Sequence, residues 1–121
     1  MSDARFGTAP DRALIDWARV AELKEEIGAD EFAEVDELFL SEADAVVDEL
    51  AGLPAEAYEE ALHSLKGTAL NLGLTGLAML CLEGERLAAA GRAEEVTIAR
   101  VLTAYAAVRA AFLDGIAHER S

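Results

Sequence analysis

The stretch "ALHSLKGTALNLGL", residues 61–74, decides how the rest of the chain is read. Leu62, Leu65, Ala69 and Leu72 recur at steps of three and four, the spacing of a helix with one buried face. At about 100° per residue these four share a side with Tyr58, and His63 points almost opposite. Lys66 lies about 60° to one side of His63 and Gly67 about 40° to the other, with Leu70 about 20° and Asn71 about 80° away. A glycine inside a helix costs about 1 kcal/mol relative to alanine. Gly67 is off the core side, so close helix packing does not account for it. It leaves a gap beside an exposed imidazole, and Leu70 is apolar where solvent alone favours a polar residue. A histidine, a cation, a gap and a leucine on one surface read as a docking site.

Working outward, the same period recurs along the whole chain. Upstream, "IDWARVAELKEEIG" reads as a short lead-in helix capped by Asp16, with Trp17, Val20, Leu23 and Ile27 at helical spacing and Gly28 closing it. From Asp30 to about Leu50 a longer helix carries Phe32, Val35, Phe39, Ala43, Val46 and Leu50 as its core stripe. Leu40 and Val47 stand about 80 to 100° off that stripe and widen the apolar face. Pro54 begins the His63 helix, with Glu56, Glu59 and Glu60 favourably placed against its N-terminal dipole, and Gly73 stops it. Thr75 is positioned to cap a fourth helix ending at Gly91, and a fifth runs from about Ala93 to Ala117. Connections this short join antiparallel neighbours. The expectation is an all-α fold: an antiparallel four-helix bundle with an additional short N-terminal helix. Residues 1–10 read as a flexible tail and 11–121 as a single domain.

Composition narrows the function. The net charge is −14, and the segment from Asp16 to Glu60 holds sixteen acids against Arg19 and Lys24, which accounts for all of it. Nucleic acid and anionic membrane are excluded as partners, since both demand clustered Lys and Arg. The single cysteine, Cys81, lies in the apolar run "LAMLCL" and reads as a core thiol. With two remote histidines, His63 and His118, and no cysteine pair, no metal site is expected. No apolar run approaches the roughly 20 residues of a membrane span, and the N-terminus lacks a signal-peptide pattern. The expected location is the cytoplasm. No Gly-rich phosphate loop is present either, so ATP-dependent kinase activity is not expected of this chain.

An exposed neutral imidazole is a nucleophile near neutral pH. Attack on a phosphoryl group would give a phosphoramidate whose charge Lys66 partly balances. Glu59 and Glu60, one turn upstream, are candidates to orient the ring.

"HSLKG" followed by "ALNLG" and then "LAMLCLEGE" resembles the signature of histidine-containing phosphotransfer domains, and "FAEVDELFLSEADAVVDEL" resembles their preceding helix. The resemblance covers residues 14–115. It implies that His63 is the phosphoacceptor, Lys66 the neighbouring cation and Gly67 the gap for an incoming receiver domain. Asn71 matches as a local hydrogen-bonding residue. Gly84 departs from the pattern, which usually has leucine before the glutamate, and predicts weaker packing there. The implied partners are a response-regulator receiver domain and a sensor or hybrid histidine kinase. The implied Mg²⁺ belongs to the receiver, and this chain binds no cofactor. Docking is expected on the second and third helices, through Leu70, Asn71, Leu40, Val47, Glu59 and Glu60. The alternative from another class is a non-catalytic helical adaptor that binds receivers through the same face.

Overall fold

Among the described residues there are five α-helices: α1 Trp17–Ile27, α2 Ala29–Leu50, α3 Tyr58–Asn71, α4 Thr75–Ala89 and α5 Ile98–Arg120. The computed structural model describes residues 15–120, with side chains to Ala117. The expected tail over 1–10 and the side chain of His118 lie outside the described residues. Among the described residues there is no strand, and no helix is long and apolar enough to cross a membrane. The fold is all-α, as the helical spacing implies.

Each helix has the ends its sequence supplies. The Asp16 carboxylate accepts from the Arg19 amide at 3.1 Å, capping α1. Short 3₁₀ turns at Ala55–Ala57 and Ala93–Glu95 precede α3 and α5. The fifth helix therefore starts at Ile98 rather than near Ala93, because Val96 is extended at φ −72°, ψ 126° and breaks the run. Thr75 is the first residue of α4 and does not cap it; Leu74 stands at the cap with no side-chain hydrogen bond.

α2, α3, α4 and α5 form a ring in which each helix packs on its two neighbours, and α1 packs on α2. The centre is filled by Leu50, Leu62, Leu65, Leu72, Leu77, Val108 and Phe112, all fully buried. Cys81 is among them, and burial pushes its thiol up to about 12. The stripe of α2 differs from the expected one. Phe32, Ala43 and Leu50 are buried as expected, but Leu40 and Asp36 join them, while Phe39 and Val46 flank the core and Val35 is only partly buried. The reason is α5: its Tyr105 hydroxyl reaches the Leu40 carbonyl and the Asp44 carboxylate, which turns that flank of α2 inward. Arg109 adds a bidentate pair to Asp44 at 3.0 Å on each nitrogen.

Two glycines mark close approaches. Gly115 leaves room for the Trp17 ring, which would lie 2.1 Å from a Cβ there, and Trp17 stacks on Phe112 with centroids 6.1 Å apart. Gly73, at φ 78°, makes the turn between α3 and α4, and its carbonyl accepts from the Asp16 amide at 2.7 Å.

Candidate functional site

The site lies where α3 and α4 run side by side, and Gly84 determines how near they come. A Cβ at Gly84 would sit 2.7 Å from Leu62 Cδ1 on α3 and 3.3 Å from Val96 Cγ1. The expected weakening at this position is corrected: glycine here is what lets the two helices close, since even a Cβ would meet Leu62. Glu85, the next residue, is thereby brought within reach of α3.

Glu85 Oε2 lies 2.7 Å from His63 Nδ1, and Glu85 Oε1 lies 2.8 Å from Lys66 Nζ. His63 and Lys66 are one helical turn apart on α3, so a single carboxylate from α4 spans both. The side chain of His63 is 70 % exposed, while those of Lys66 and Glu85 are 20 % and 16 % exposed. The carboxylate sits beneath the ring, and the ring faces solvent.

The Lys66 ammonium, bonded to Glu85, holds its carboxyl below the usual carboxylate range; burial opposes this, and the His63 contact adds to it. Glu85 is therefore ionised at neutral pH and accepts only. It follows that Nδ1 carries the imidazole proton and donates it to Glu85. The lone pair is then on Nε2, the nitrogen that Glu85 does not hold. An ionised partner makes this hydrogen bond stronger than a neutral one. If Nε2 forms a bond to an electrophile, the positive charge that develops on the ring is balanced where it appears.

This contact corrects the expectation for Glu59 and Glu60. Both are exposed in the first turn of α3. The i,i+3 and i,i+4 spacing would allow either to reach the ring, but Nδ1 is engaged by Glu85 from the adjacent helix. Glu85 was missed as an orienting group because the sequence separates it from His63 by 22 residues. Its only signal was a place in the run "CLEGE".

Leu70 and Asn71 are exposed on α3 beyond His63, and Gly67 has nothing within 4 Å of where a Cβ would be. Val47 is partly buried against the core. Leu40 is 4 % exposed and presents no surface to a partner, so the expected docking role for it is withdrawn in favour of core packing. Among the described residues no group of three or more His, Cys, Asp or Glu is placed to hold a metal ion.

Comparison with known proteins adds one match. The family model described as Hpt domain matches residues 34–111, which contain His63, Lys66, Gly67 and Glu85. No curated protein and no solved structure matches the chain. Since the matched segment is more than half of the 121 residues and holds the whole His63 cluster, the chain belongs to the Hpt domain family, the histidine phosphotransfer modules of phosphorelays.

Proposed function

We propose that His63 is the phosphoacceptor and exchanges a phosphoryl group with an aspartate of a response-regulator receiver domain. The observation that carries this reading is the pairing of Nδ1 with an ionised Glu85 beneath a ring that is 70 % exposed. In the forward step the Nε2 lone pair attacks phosphorus, a P–N bond forms, and the P–O bond to the aspartate breaks. The electron pair leaves with the carboxylate, and the imidazole proton stays on Nδ1, held by Glu85. The reverse step returns the phosphoryl group to a receiver aspartate. Lys66 supplies a cation beside the ring, and a Mg²⁺ ion is assigned to the receiver.

Gly67, with open space around it, receives the approaching partner, and Leu70 offers an apolar contact two turns from His63. Asn71 and the outer edge of Val47 extend that face, and Glu59 and Glu60 border it at the start of α3. A sensor or hybrid histidine kinase stands upstream in this reading.

The test is phosphoryl transfer from a labelled receiver domain to the purified chain, with His63→Gln as control. Acid-labile, alkali-stable label on the wild type and none on the variant is the expected result. Measurable receiver binding without label on either protein would reject transfer and leave a binding adaptor.

A further inference from the structure

On the far side of α4 from the core, a groove of about 1210 Å³ runs between α4 and α5. Its walls carry Met79, Leu80 and Leu87, and Met79 is 64 % exposed, more than any other large hydrophobic residue described. Arg86, Arg92 and Arg100 stand around it, against one acid in the lining, Glu83. Three of the chain's ten Lys and Arg residues are thus gathered on one groove of a protein with net charge −14. Arg92 is engaged by Glu95 at 2.8 Å, and Arg100 lies 3.8 Å from Glu83 with both side chains about two-thirds exposed. An apolar floor with a cationic rim calls for an acidic, amphipathic helix.

The chain carries such a helix. α2 has nine acids and no base in its 22 residues. Glu34, Leu38, Ala45 and Asp48 lie on its outer surface, all exposed. By the helical period they fall on the same side as Glu37 and Ser41, which line the cleft facing α5. The acidic strip and the cationic groove therefore flank α5 from opposite sides. The outer face of α5 between them carries Ala99, Thr103, Ala106 and Ala110, small and uncharged, which allows close approach.

We infer that this side of the bundle is a homodimer interface, in which α2 of each copy seats against the α4–α5 groove of the other. A two-fold axis parallel to the helices exchanges left for right while keeping each residue's level, so both contacts form at once and the assembly closes. The level agrees with the charges. Asp44 is level with Tyr105 and Arg109, and one turn further along α2 Asp48 comes level with residues 101–105 of α5, adjacent to Arg100. A two-fold axis across the helices would set α2 on α2, acid against acid. His63 is on α3, across the ring from α5, and remains open in the dimer.

Sedimentation equilibrium tests this at about 0.15 M salt, where screening confines charge effects to about 8 Å. Between about 5 and 500 µM the mass should rise from that of one chain toward that of two, and no further. The double variant Arg86→Glu with Arg100→Glu should weaken association by about tenfold or more, as like charges meet across the contact. Asp48→Arg added to that variant should restore much of it. Ala45→Lys, at an exposed position on the same outer face of α2 and level with the groove, is a second disrupting change that leaves folding intact. A monomer at every concentration overturns the inference, as does an open series of larger species. A dimer unmoved by these changes overturns it too.

Discussion

At the scale of single residues, the site divides its labour between an exposed ring and a covered carboxylate. Replacing Glu85 by glutamine removes a charge-assisted hydrogen bond worth about 1.5–3 kcal/mol. Transfer to His63 is then expected to slow by roughly tenfold to a hundredfold, while receiver binding is kept. Stopped-flow or quench-flow time courses of label transfer check this, and an unchanged rate would remove Glu85 from the chemistry. The carboxyl of Glu85 titrates below its unfolded value near 4.3. Its contribution to stability is thus complete above that pH and is lost as pH falls through the folded-state value. The acid limb of an unfolding curve should accordingly be shallower in Glu85→Gln. Gly67 separates stability from function. Its Cβ position meets open space, so Gly67→Ala should stabilise the free chain by about 0.5–1 kcal/mol. Gly67→Arg should instead raise the receiver concentration needed for half-maximal transfer, with little change in Tm. His63, Lys66 and Gly67 were legible because one helical wheel arranges them. Glu85 was not, since its role depends on the distance between two helices.

At the scale of elements, α3 and α4 are a matched pair whose spacing is set at Gly84. Gly84→Leu introduces atoms where even a Cβ would meet Leu62 at 2.7 Å. Overpacking of this kind costs about 1–3 kcal/mol, and here it should also draw Glu85 away from His63. Lower Tm together with slower transfer is the expected outcome, read by thermal melts and the same transfer assay. The α2–α5 contact is held differently, through Asp44 with Arg109 and Tyr105. Burial works to raise the Asp44 carboxyl, but the hydrogen bonds from Arg109 and Tyr105 outweigh it and hold it low. The helices and their order could be read from apolar spacing and the glycine stops, yet the inward face of α2 could not. Its apolar residues cover more than half the wheel, and the side that turned inward was chosen by Tyr105 and Arg109, 61 to 65 residues away.

At the scale of the whole molecule, a net charge of −14 on 121 residues works against compactness. Raising salt from about 10 to 150 mM shortens the Debye length from about 30 to 8 Å. Tm should therefore rise with salt over that range; a fall would mean that ion pairs such as Asp44–Arg109 outweigh the collective repulsion. The ring of four helices with a fifth laid on it was legible because five amphipathic segments with short connections leave little other choice. The attachment of that fifth helix was not, since it depends on a turn made elsewhere. The Asp16 amide bonds to the Gly73 carbonyl across 56 residues of intervening chain. Such a contact is slow to form, because the entropy of closing a long loop is lost before the bond is gained. The hairpin of α3 and α4 closes over three residues and assembles ahead of it. The order of events along the folding path is thereby set: the hairpin bearing His63 and Glu85 comes first, and α1 fastens onto a turn already made. In deuterated water the Asp16 amide should exchange at the rate at which α1 lifts away, well before the amides of α3 open.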